Sequence, residues 1–202
     1  MSSSDPCAEA LREADTAPEE VDVVFLTHLH PEDAAGTVDA EGRALFPNAE
    51  MVVPEPEVRT WSDPAAFAGD ATLSGWQRLA ASVLAAYRDQ LRTTAGEAEI
   101  VPGLTQLPLP GHTPGHSGFR LEAGGQTVVH AGDIVHAPFL QIPDPEIAIA
   151  FDMDPQEART ARRRMLALLA RENCLCTGGH FLQPALGRVE EEGDGYCFLG
   201  AP

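Results

Sequence analysis

With 202 residues, 44% of them hydrophobic, the chain can bury one sizeable core, and a single domain over residues 1–202 is expected. All 13 basic residues are arginine against 31 Asp and Glu. The formal net charge of -18 excludes nucleic acid and anionic membrane as partners by long-range repulsion, and the absence of lysine excludes Schiff-base and phosphate-loop lysine chemistry.

No apolar run approaches the roughly 18 residues needed to cross a bilayer, and residues 1–15 lack a secretory-signal pattern, so a cytoplasmic location is expected. Residues 8–14 read as a short helix and residues 21–26 (VDVVFL) as a buried, β-branched strand ending where His28 begins. Residues 50–53 form a second short strand closed by Pro54 and Pro56, and residues 54–75 read as a loop. A helix is predicted over 73–91, because Trp76, Leu79, Ala80, Val83, Leu84 and Tyr87 recur at three-and-four spacing; Trp76 and Tyr87 either pack in the core or line a cleft.

The middle region reads as strand throughout: residues 100–101, 107–109, 118–121 and 127–130, separated by Gly or Pro turns. Residues 139–151 read as an exposed loop. A helix over 155–171 opens on Asp154 as N-cap, and a short strand at 175–177 leads into Gly178-Gly179-His180. On that strand Cys174 and Cys176, spaced i, i+2, read as a buried pair of small apolar side chains. This order of elements implies an α/β layered domain.

The chemistry sits at strand ends. In Thr27-His28-Leu29-His30-Pro31-Glu32-Asp33, two histidines at i, i+2 on an extended segment project to one side, so two imidazoles can reach one ion, with two carboxylates close behind. Pro110-Gly111-His112-Thr113-Pro114-Gly115-His116-Ser117 is a loop fixed by Gly and Pro that presents His112, with His116 stabilising the loop. In Gly132-Asp133-Ile134-Val135-His136 a carboxylate leaves a strand through a glycine, and Gly179-His180 ends another strand. Strand-end loops hold such side chains firmly yet leave them open to substrate.

In this order the motifs resemble the ligand motifs of the metallo-β-lactamase superfamily. The tail from His180 through Pro184 and Gly187 to Val189, followed by Gly193-Asp194-Gly195-Tyr196, is similar to the branch of methyl parathion hydrolases and related lactonases and esterases. The resemblance runs from about Leu11 to Tyr196. It implies the αβ/βα four-layer sandwich, and a metal-bound hydroxide that attacks an ester, lactone or related small substrate. It also implies a zinc-type binuclear site in which His28, His30 and His112 hold one ion, Asp133 bridges and His180 serves the second.

Two departures qualify what the resemblance implies. The family continues its first motif as Asp-His where this chain has Glu32 and Asp33, so a second ion would draw on Glu32, Asp33, Asp133 and His180. Such an oxygen-rich site favours manganese or iron over zinc, and Glu32, longer than Asp by one methylene, can instead act as a base beside the bound water; Glu32 and Asp133 are thus the expected catalytic residues. A retuned binuclear site, a single-ion site with three histidines, and a degenerate member acting as a binding partner or in a non-hydrolytic step such as cyclisation all stay open. Further, family members place several strands before the first motif, whereas 27 residues precede His28 here. The sandwich is therefore expected to lack N-terminal strands and to expose a sheet edge, covered by a homodimer or a partner chain.

Overall fold

Residues 6–182 and 185–201 are described by the structure, a computed structural model, and they divide into one unit ending at Thr94 and another beginning at Ala95. Gln183 and Pro184 of the tail motif lie outside the described residues.

The first unit contains α1 (Pro6–Glu13), β1 (Val23–Phe25), α2 (Pro31–Ala34), β2 (Glu50–Pro54), α3 (Glu55–Ser62), α4 (Ala71–Ala86) and β3 (Leu91–Thr94). Its sheet is parallel in the order β1-β2-β3, with Val24 opposite Met51 and Val52 opposite Arg92. Met51, Val52 and Val53 are buried, as a central parallel strand requires. Among the described residues β1 pairs with β2 alone.

Two elements differ from the sequence reading. Residues 54–75 are not a plain loop: α3 starts straight after Pro54, because Pro56 in the first helical turn needs no hydrogen bond from its missing N–H. The helix predicted to run to residue 91 stops at Ala86, and the chain turns through residues 88–90 into β3, whose Leu91, Thr93 and Thr94 suit a strand and pair with β2. Tyr87 marks the stop. Its side chain is buried, and its hydroxyl donates to the Thr37 carbonyl at 2.7 Å and accepts from Phe46 N–H at 3.1 Å, so it belongs to the core.

The second unit is a seven-stranded sheet, β10-β9-β8-β7-β6-β5-β4, made of β4 (Ala98–Val101), β5 (Leu104–Pro108), β6 (Ser117–Ala123), β7 (Gln126–His130), β8 (Leu175–Thr177), β9 (Gly187–Glu192) and β10 (Gly195–Gly200). All neighbours are antiparallel except β7 and β8, whose parallel pairing requires a crossover that carries α5 (Pro138–Gln141) and α6 (Pro155–Glu172). Helix α6 opens on Asp154 as predicted, the carboxylate accepting from the N–H groups of Gln156 and Glu157. It closes on Asn173 in the left-handed conformation.

Ala158, Ala161, Met165, Leu166 and Leu169 of α6 pack with Val129, Ile134, Val135, Cys176 and Val189 into one core. Burying each larger member contributes about 1.5–3 kcal/mol. Cys174 and Cys176 are both buried there, in keeping with a structural reading. The β9–β10 hairpin is absent from the sequence reading, since Glu190, Glu191 and Glu192 give β9 a polar second half.

Candidate metal centre

In the first unit the chain leaves β1 through Thr27 and alternates: Leu29 enters the core while His28 and His30 flank it, all three fully buried. The two imidazoles meet edge to face with ring centroids 4.8 Å apart. Nδ1 of His28 lies 3.2 Å from Thr27 Oγ1 and its Nε2 3.3 Å from Asp33 Oδ2, so Asp33 is drawn to the same place. His30 immediately precedes α2, whose first residue is Pro31, and its ring stands edge-on to Trp61 and Trp76. Glu32 is exposed and joins no group of three donors among the described residues.

The backbone of this turn is held by a residue the sequence did not single out. Glu57 of α3 is fully buried, and its Oε2 accepts from Leu29 N–H at 3.0 Å and from Trp61 Nε1 at 2.9 Å. A buried carboxylate satisfied in this way is a rigid support for the residues on either side of Leu29.

In the second unit His112 sits on the loop after β5, its carbonyl accepting from Met153 N–H and the neighbouring Gly111 carbonyl from Asp154 N–H. Its Nδ1 is 3.1 Å from Asp152 Oδ1, and an imidazole held at Nδ1 by a carboxylate ligates through Nε2. Asp152 Oδ2 in turn meets Arg162 Nη2 at 3.3 Å. Arg162, fully buried, also donates to the carbonyls of Ile134, Pro145 and Ile147. Burial alone would raise the Asp152 carboxyl, but hydrogen bonds from His112 and Ile149 N–H and the Arg162 charge outweigh it and hold it below its ordinary value. Neither Asp152 nor Arg162 carries a signal in the sequence, because each is defined by partners distant in the chain.

His116 has both nitrogens engaged: Nδ1 lies 2.9 Å from the Leu109 carbonyl, which fixes the proton there, and Nε2 accepts from Asp133 N–H at 2.8 Å. Burial first, then neighbouring His112, push it down to about 3, so it stays neutral. It supports the loop, as expected from sequence, and at the same time orients Asp133.

Asp133 leaves β7 through Gly132, whose φ of +56° and approach to His116, where a Cβ would fall 2.5 Å from Nε2, both demand glycine. Gly179 is needed for the same spatial reason, since a Cβ there would lie 2.4 Å from Asp133 Oδ1. The next residue, His180, brings Nε2 to 3.0 Å from Asp133 Oδ2. His136 joins them: His112, Asp133 and His136 each offer a donor atom, and these lie within 4.8 Å of one another. Beside His136 and His180 opens a cavity of about 430 Å³ walled by Ile142, Phe181, Leu182 and Phe198, with Phe139 exposed at its rim.

Imidazoles and a carboxylate, with one imidazole oriented from behind by Asp152, suit a divalent transition-metal ion, so the residues present fit a metal. The family described as the metallo-beta-lactamase superfamily matches residues 1–180. AidC, a dizinc quorum-quenching lactonase solved with a homoserine product, superposes with a TM-score of 0.87 at 22% identity, covering 96% of this chain and 69% of its own. The hydrolase AbOPH of the beta lactamase superfamily also gives 0.87, at 30% identity and the same coverages. A probable metal-dependent hydrolase from Staphylococcus aureus gives 0.76 at 23% identity, over 95% of this chain and 66% of its own. No curated protein matches the chain.

Proposed function

The chain belongs to the metallo-beta-lactamase superfamily and is an enzyme of its hydrolase type, and on that premise we propose that it cleaves a carboxylic ester or lactone with an apolar side. The observation that carries this reading is that His136 and His180, each beside the Asp133 carboxylate, line an apolar cavity of about 430 Å³ within the second unit. A cavity of that size takes a small substrate, and apolar walls with a few polar groups at one end orient it. The description of AidC as a lactonase supports this substrate class, and that of AbOPH supports the hydrolase type.

The proposed ligands are His28, His30 and His112 for one ion, Asp133 shared, and His180 for a second, with zinc as the metal. Bound there, divalent ions supply Lewis acidity toward the substrate carbonyl and lower the pKa of water. The chain's own residues do the rest. Asp152 holds the Nδ1 side of His112, His116 fixes the backbone of Asp133, and Asp33 stands 3.3 Å from His28 Nε2. The apolar wall excludes water from the substrate's hydrocarbon part.

No helix among the described residues is long and apolar enough to cross a membrane; the proposed setting is the cytoplasm, with a second copy covering the edge of β1, which sedimentation of the purified chain checks. The function is tested by offering the zinc-loaded protein a panel of acyl lactones and aryl esters. Turnover that a chelator abolishes and zinc restores is expected; metal-loaded protein inert toward both classes would overturn the proposal.

A further inference from the structure

We propose that His136 is a metal ligand, and that Asp133, His136 and His180 form a cation site built wholly from the second unit. The inference rests on the metal-dependent reading above and goes beyond it by naming a donor and the kind of ion. His136 Nδ1 lies 3.9 Å and His180 Nε2 3.0 Å from the same oxygen, Asp133 Oδ2. Donors at about 2 Å from one ion in tetrahedral geometry stand about 3.3 Å apart, so the first spacing would close by roughly 0.6 Å and the second open by roughly 0.3 Å. The two imidazole centroids are 3.5 Å apart, against 5.6 Å from His136 to Phe151 and 5.9 Å from His136 to His112.

The surroundings hold these side chains where they are. The backbone at His136 is clamped by Gln141, a fully buried amide whose Oε1 accepts from both His136 N–H at 2.7 Å and Ala137 N–H at 2.8 Å, and whose Nε2 donates to the Ile147 carbonyl. Asp133 is fixed from the other side by His116 and by the absence of a side chain at Gly179.

Two imidazoles and one carboxylate form a three-donor set with a position left for water or substrate, the arrangement of open zinc sites. His136 and His180 both line the apolar cavity, so a substrate held in it would lie beside the two imidazoles. The nitrogen content also reverses the preference for manganese or iron that an oxygen-rich site drawing on Glu32 would carry; this set favours zinc or cobalt.

The test is metal uptake by the full chain, stripped of metal and titrated with zinc and with cobalt, whose visible absorption reports the donors. Wild type is expected to bind about two ions per chain. His136→Ala should lose one of them, or bind it more weakly by more than the roughly 10- to 100-fold that loss of an outer hydrogen-bond partner costs, and should lose part of the cobalt spectrum. Glu191→Ala, at an exposed position of β9, should keep both. Circular dichroism checks that His136→Ala is folded, and His136→Gln, which keeps bulk and polarity, replaces it if it is not. Uptake and cobalt spectrum of the folded His136 variant equal to wild type would overturn the inference while leaving the hydrolase reading standing. A wild-type chain that binds neither metal would overturn both.

Discussion

Asp152 touches one ring nitrogen of His112, and through that contact it decides which nitrogen is offered to an ion. Asp152→Asn keeps the shape but gives up the charge that favours a proton on Nδ1, so zinc should bind about 10- to 100-fold more weakly, read by competition with a chromogenic chelator. Asp152→Ala should add a loss of stability, since Arg162 would keep a buried charge without its carboxylate. Cys176 marks the opposite case of a side chain with no chemistry to perform. Burial, and next the neighbouring Cys174, push its thiol from 9.0 up to about 12. The folded state therefore keeps a proton that the unfolded state releases above pH 9; the stability is fully present below that pH and is lost as pH rises toward 12, by up to about 1.4 kcal/mol per unit. Denaturant midpoints of wild type and Cys176→Ala between pH 8 and 10.5 check this, the variant showing the shallower decline. At this scale the sequence is informative where a residue announces itself by local context. His28, His30, His112, Asp133 and His180 sit next to glycine, proline or a strand end, whereas Glu57 and Asp152 gain their roles from partners 28 and 40 residues away.

Helix α6 links packing to the site because its N-terminal approach is hydrogen-bonded to the His112 loop, through Asp154 N–H to Gly111 and Met153 N–H to His112. Asp154→Ala removes the cap and should cost about 1 kcal/mol of stability in chemical denaturation, with a smaller loss of zinc affinity because the backbone bonds survive. This helix was legible because apolar residues recur along one face and a capping Asp precedes Pro155; β8 was legible because it is short, apolar and followed by two glycines. Three elements were not. Proline at 54 and 56 reads as a break although it also starts α3, the Leu91 that completes the apolar stripe of α4 belongs to β3, and the glutamates of β9 hide a strand whose paired backbone, not its side chains, keeps it in the sheet.

Across the molecule, the charge of -18 disfavours a strongly anionic substrate at long range, although the charge of a bound metal would act against that close to the site. The proposed donors of each unit follow strands of its own sheet: His28, His30 and Asp33 come after β1, and His112, Asp133, His136 and His180 in the loops after β5, β7 and β8. The single parallel pairing in the larger sheet, β7 with β8, is what brings His180 to Asp133, 47 residues earlier. Neighbouring hairpins need only local closure, but this pairing must wait until the long crossover with α5 and α6 has collapsed, and contacts so far apart in the chain form slowly. During refolding from denaturant, far-ultraviolet circular dichroism should therefore recover before cobalt absorption appears.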